Sequence, residues 1–125
     1  MEYTIDQVMK ALPYLVKADH KGKNVYNVEI VSEDGPNQEF WLAVVDGKMT
    51  YGQGKTDDAE AVLFKVVRGG LETLMDLQFG GLEEAIKLMM MGKIFTDNIP
   101  GAEAWFQILE IGEEPFKAAL AKAGA

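Results

Sequence analysis

Between Ala59 and Met91 the chain places one apolar strand, two short helical patterns set between Gly-Gly pairs, and then Leu88-Met89-Met90-Met91. The segment Ala61 to Val67 is apolar almost throughout, which predicts a buried central strand whose face must be covered by the helices that follow. Gly69-Gly70 and Gly80-Gly81 bracket a helix carrying Leu71, Leu74 and Met75. Glycine relaxes the backbone on both sides of this cover, so the expectation is a lid that moves over an apolar sheet.

The remaining elements follow from pattern. Thr4 and Gln7 form a capping box, with Tyr3 and Val8 placed as a staple, and Ile5, Val8, Met9, Leu12, Leu15 and Val16 make one apolar stripe that Pro13 must bend or end after Leu12. Tyr26, Val28 and Ile30 alternate with Asn27 and Glu29, predicting a half-exposed strand. Asp34-Gly35-Pro36-Asn37 then supplies a turn. Phe40 to Val45 is apolar on both faces, and Asp46-Gly47 is a favoured hairpin turn into Lys48, Met49, Thr50 and Tyr51. Short turns between strands predict a largely antiparallel sheet.

Beyond it, Leu82, Ala85, Ile86, Met89 and Met90 make a helical stripe opposite Glu83, Glu84 and Lys87. A short strand from Lys93 to Thr96 leads to a helix carrying Ala102, Trp105, Phe106 and Leu109, and Pro115 opens a terminal helix with Phe116, Ala119, Leu120 and Ala123 inward.

A chain of 125 residues is most simply one domain, 1–125, able to bury roughly two thirds of the surface its unfolded form exposes. It has no cysteine, so disulfides, thiolate nucleophiles and cysteine-ligated metals are excluded. No signal peptide is visible and no apolar run approaches the ~20 residues that span a bilayer, which predicts a cytoplasmic protein without stable membrane insertion. The net charge of -8 and the lack of any basic run argue against nucleic acid as a partner.

Catalytic signatures fail on inspection. Ser32 and His20, the only serine and histidine, sit in turn-like contexts without a nucleophile elbow. Gly52-Gln53-Gly54-Lys55-Thr56 resembles the end of a phosphate loop, yet Met49 stands where the first glycine belongs and Asp57-Asp58 follow where a helix should start. Asp57, Asp58 and Glu60 lack the spacing of a calcium loop, and no metal or cofactor is implied. Asp76, among Leu74, Met75 and Leu77, is the one candidate for a carboxylate with a raised pKa, as a proton-shuttling isomerase would need. Met75, Met89, Met90 and Met91 suit either an ordinary core or a surface that adapts to several shapes.

Read in order, these pieces resemble the sterol carrier protein type 2 family of small lipid-binding domains. The resemblance is carried by Phe40-Trp41-Leu42-Ala43-Val44-Val45, the Asp-Gly hairpin, and Ala59-Glu60-Ala61-Val62-Leu63. A lid-like helix, Met89-Met90-Met91-Gly92-Lys93, a short strand and a terminal helical region complete it. It runs from Tyr3 to the end, with departures at Glu60, where the family usually has aspartate, and at Thr96-Asp97-Asn98-Ile99-Pro100-Gly101, which reshapes one end of the pocket.

The resemblance implies an α+β fold in which a five-stranded, mostly antiparallel sheet is covered by helices with an apolar tunnel between. It also implies a non-enzymatic carrier of fatty acids, fatty acyl-CoA or sterol-like lipids. By position the lining would be Trp41, Val44, one of Leu63 and Phe64, then Leu71, Leu74, Met75, Ile86, Met89, Met90 and Phe106. Lys65 and Arg68 would meet a charged headgroup, or stand as solvated surface charge. The alternative to a carrier is a protein-interaction or homodimerisation module that covers the same methionines.

Overall fold

The structure, a computed structural model, describes residues 3–124. Helix α1 (Ile5–Ala11) starts at the anticipated capping box: the Gln7 amide donates to Thr4 Oγ1 at 3.2 Å and the Thr4 amide to Gln7 Oε1 at 2.9 Å. Pro13 ends the α-helical ladder, and Leu12–Leu15 continue as a single 3-10 turn that keeps Leu12 and Leu15 in the core.

Five strands form one sheet: β1 (Lys23–Ile30), β2 (Gln38–Val45), β3 (Lys48–Gln53), β4 (Val62–Val66) and β5 (Ile94–Thr96), in the order β3-β2-β1-β4-β5. Strands β2 and β3 are joined by the Asp46-Gly47 turn, where φ values of 48° and 84° give the left-handed pair that a two-residue hairpin needs. Three of the four pairings are antiparallel, whereas β1 and β4 are parallel.

That parallel pair corrects one expectation. β4 lies inside the sheet between β1 and β5, with β1 in the middle, but β3 and β4 are joined by a strap, residues 54–61, instead of a tight turn. Parallel neighbours require such a crossover. The strap is clamped across the outer face of the sheet by Asn27, which donates to the Thr56 carbonyl at 3.1 Å and accepts from the Thr56 amide at 2.8 Å. Ion pairs at 2.9 and 3.0 Å tie Lys23 to Asp58 and Glu60, and Lys55 bridges Glu29 and Glu39 at 3.3 and 3.1 Å. Lys55 and Thr56 of the phosphate-loop-like run, and Asp58 and Glu60 of the acidic one, therefore fasten a crossover. The hydrogen bond to Lys23 holds the Asp58 carboxyl below the usual carboxylate range, and the two carboxylates raise the Lys23 pKa in turn.

The other face of the sheet carries Tyr26, Val28, Ile30, Phe40, Leu42, Val44, Val62, Phe64 and Val66, all buried against the helices. Helix α2 (Gly70–Met90) is two helices joined at Gly81, whose φ of 75° and ψ of −156° no L-residue adopts without strain. Helices α3 (Ile99–Ile108) and α4 (Glu113–Ala123) complete the layer. Asn98 caps α3 by accepting from the Gly101 amide at 3.0 Å.

Candidate functional site: an apolar cavity at the kinked helix

The first half of α2, residues 70–80, closes the core. Leu74, Met75 and Leu77 are almost fully buried, and Gln78 among them is just as deep. A buried amide requires partners. Gln78 has them: its Nε2 donates to the Glu110 carbonyl at 3.0 Å and its Oε1 accepts from the Trp105 indole at 2.9 Å. Trp105 then meets Tyr26 edge-on, ring centroids 5.2 Å apart, and Phe64 at 5.6 Å. Tyr26 donates to the Gly101 carbonyl at 2.8 Å, and burial pushes its pKa well above the ordinary phenol value. One polar chain thus fixes α3 and the inner face of Phe64.

Past Gly81 the chain changes direction, and the second half of α2, residues 82–90, keeps only Ala85 and Leu88 buried in the core. Between it, β4, β5 and α3 lies a cavity of about 150 Å³. Phe64 lies on the sheet side; Leu82, Ala85, Ile86 and Met89 come from the helix; Ile94, Phe95 and Thr96 come from β5; Ile99, Ala102, Glu103 and Phe106 come from α3. Ten of these twelve side chains are apolar, and only Thr96 and Glu103 are not. A space of roughly this volume accepts a benzene-sized molecule. The lining residues Ile86, Phe95 and Ile99 are about half exposed, so the apolar surface continues outward at the rim.

Of the sequence-derived lining, Phe64, Ile86, Met89 and Phe106 stand on this cavity. The other positions are corrected. Trp41 and Leu63 alternate out of phase with the buried residues and lie on the outer face of the sheet, so of the pair Leu63 and Phe64 it is Phe64 that faces inward. Trp41 packs over Gly52, opposite it on β3, where an added Cβ would come within 2.6 Å of the indole Nε1. Val44 faces inward but packs against Tyr26 and Trp105, in a gap too small for a ligand. Leu74 and Met75 are core, Leu71 borders a separate shallow groove beside Arg68, and Met90 points into solvent. The Leu71-to-Met75 helix expected as the cover is thus packed mostly as core, and the open recess lies beside the following half of α2.

Neither expected headgroup cation faces the cavity. Lys65 lies on the outer face, 3.8 Å from Glu29. Arg68 donates to the Met91 carbonyl and so caps the C-terminus of α2, while its own carbonyl accepts from Thr73 Oγ1 at 2.8 Å. Asp76 is exposed on the opposite side of α2 from Leu74 and Met75 and is absent from the cavity. Partial burial, with Glu72 and Glu84 nearby, raises its pKa somewhat. His20 bonds Asn24 at 3.0 Å, and Ser32 is not its partner. Among the described residues no three His, Asp or Glu side chains converge as a metal site.

The lining that pattern reading missed is Leu82, Ala85, Ile94, Phe95, Thr96, Ile99, Ala102 and Glu103. A signal existed for part of it: Ile99, Ala102, Glu103 and Phe106 follow helical i, i+3, i+4, i+7 spacing and therefore share one face of α3.

No family model matches the chain, and no curated protein sequence matches it. Solved structures do. A double mutant of the sec-alkyl sulfatase PisA1 superposes with a TM-score of 0.63 at 22% identity, over 90% of this chain and 17% of the sulfatase chain. The present chain thus corresponds to about a sixth of that enzyme's length. The ubiquinone synthesis protein UbiJ-SCP2 aligns over 97% of this chain and 84% of its own, with a TM-score of 0.50 and 15% identity. The Thermus thermophilus protein TT1886, put forward as a sterol carrier, aligns over 97% of this chain and 89% of its own, with a TM-score of 0.51 and 14% identity. With the mixed five-stranded sheet and the helical layer described above, these similarities establish that the chain has the sterol-carrier-like α+β fold.

Proposed function

We propose that this chain is a carrier that takes up the apolar part of a small lipid in the cavity beside the second half of α2. The observation that carries the reading is the lining itself: an apolar recess that opens onto an apolar rim. Each methylene moved there from water contributes about 0.8 kcal/mol, so an aliphatic segment binds usefully without exact polar contacts. About 150 Å³ encloses only a short segment, so a longer chain or a sterol-like ring system requires residues 82–90 to swing outward. Gly81 is the hinge this asks for. No turnover is assigned to the chain in this reading, and transfer of a lipid needs none.

The test is native mass spectrometry of protein purified without detergent, followed by organic extraction and by titration with the uncharged fluorescent probe diphenylhexatriene. A bound mass that extraction resolves into lipid, or saturable one-to-one uptake of the probe, is expected. An unliganded mass together with no uptake would overturn the carrier reading.

A second reading draws on the rim. Phe95 and Ile99 at the rim, with Met90 and Met91 at the end of α2, are exposed apolar side chains of the kind that a protein partner or a second copy of the chain covers. Sedimentation equilibrium decides whether copies associate: a dimer broken by Met90→Asp supports this reading, and a monomer at all concentrations removes the homodimer form of it.

A further inference from the structure

Charge at the cavity gives it a preference that its apolar lining alone would not. Glu103, on the first turns of α3, is the only charged side chain among the twelve that line it. Among the described residues Glu103 joins no ion pair. The cations that would neutralise an acidic ligand are engaged elsewhere, Arg68 on the Met91 carbonyl and Lys65 beside Glu29, while Lys87 and Lys93 are not among the lining residues. Thr96, the other polar lining residue, already donates to the Asn98 carbonyl and accepts from the Asn98 amide, at 3.3 and 3.2 Å.

We infer that the cavity selects an uncharged apolar ligand carrying a hydroxyl, such as a long-chain alcohol, and discriminates against the corresponding carboxylate. This rests on the cavity being the ligand site proposed above. An ionised carboxylate brought to the rim meets the Glu103 charge with no cation among the lining residues, and it loses water on entering an apolar recess. A hydroxyl in the same place can donate to the Glu103 carboxylate, a charge-assisted hydrogen bond that a carboxylate cannot make. Because Glu103 is exposed, water screens its effect, and the discrimination owed to it is about two- to fivefold, the range of exposed charge interactions.

The experiment compares 1-decanol with decanoate by calorimetric titration at pH 8, on the unsubstituted chain, Glu103→Gln, Glu103→Lys, and Ile86→Trp, which fills the cavity. The expected result is that decanol binds more tightly than decanoate to the unsubstituted chain. Glu103→Gln should narrow the gap about two- to fivefold, Glu103→Lys should narrow it further, and Ile86→Trp should abolish decanol binding. If decanol binds and is lost in Ile86→Trp, yet the gap stays constant across the Glu103 variants, the selectivity is overturned while the carrier reading stands. If neither ligand binds the unsubstituted chain, the carrier reading and the selectivity fall together.

Discussion

The two halves of α2 share composition and periodicity but do different work. Residues 70–80 bury Leu74, Met75, Leu77 and Gln78, whereas residues 82–90 bury Ala85 and Leu88 but turn Leu82, Ile86 and Met89 toward a space they do not fill. What separates them is one backbone conformation at Gly81. An apolar stripe on a helix therefore specifies a face that avoids water, and its connection to the preceding element decides whether that face meets a packed sheet or a cavity. The consequence is a division of labour, with more of the core before the kink and the exposed apolar residues Leu82, Ile86, Met89 and Met90 after it.

The comparison is most exposed to failure in paired truncations. Leu77→Ala, at a site with no solvent exposure, should destabilise the protein by about 2–5 kcal/mol, as buried leucines do. Leu82→Ala, at 40 % exposure, should cost less than about 1 kcal/mol, like other substitutions away from the core. Urea denaturation measures both, and equal losses would mean that the halves are energetically alike.

Next in size is the kink. Gly81→Ala forces an L-residue into a φ of 75° and brings its Cβ to 3.3 Å from Ile111 Cγ2. The expected cost is roughly 1–3 kcal/mol in the same denaturation experiment. If instead the variant is as stable as the parent, the strained geometry is not required and the hinge has no basis.

A smaller effect on stability with a large one on binding is expected of Ile86→Trp. Ile86 is 52 % exposed, so the indole can enter the cavity without displacing core atoms. Its melting temperature should stay within a few degrees of the parent while uptake of diphenylhexatriene is lost. Unchanged uptake would place the ligand elsewhere.

The smallest effect belongs to Asp76, on the first half. Its folded pKa is raised by partial burial and by Glu72 and Glu84, so the native state holds the proton more tightly than the unfolded chain does. Stability attributable to this group falls as pH rises from the unfolded pKa through the folded one, and the penalty is fully present above the folded pKa. Asp76→Asn should therefore raise the melting temperature slightly at pH 7, with the gain vanishing at pH 3. A loss of stability at pH 7 would show that the ionised carboxylate is favoured, against the burial argument. An isomerase built on Asp76 would lose turnover in the same variant.

Much of this organisation was legible in the sequence, and what was not has definite causes. The Thr4 cap, the break at Pro13, the Asp46-Gly47 hairpin and the glycine pair at Gly80-Gly81 are local signals, and each stands in the fold. The facing of Trp41 was not legible because Phe40 to Val45 is apolar at every position, so alternation has no visible phase. The long connection from Val31 to Asn37 leaves the register with Asn27 and Glu29 unspecified. The parallel partner of β4 was hidden because the strap reads as an ordinary acidic turn; only in space do Asn27 and Lys23 show that it crosses the sheet. Which half of α2 packs as core is hidden for the same reason, since the pattern reveals the glycines and not the dihedral angles they adopt. The partner of Arg68 is not legible because a lone cation near the chain's apolar segment suits a ligand as well as it suits a helix C-terminus, and here the carbonyl of Met91 takes it.

The central claim is that ligand enters beside the second half of α2 and leaves the first half untouched. Methyl NMR during titration with 1-decanol tests it most directly. The account predicts saturable shifts at Leu82, Ile86, Ile94 and Ile99, with Leu74 and Leu77 unmoved. Shifts confined to Leu71 and Val31, beside the Arg68 groove, or no shifts at saturating alcohol, would contradict it.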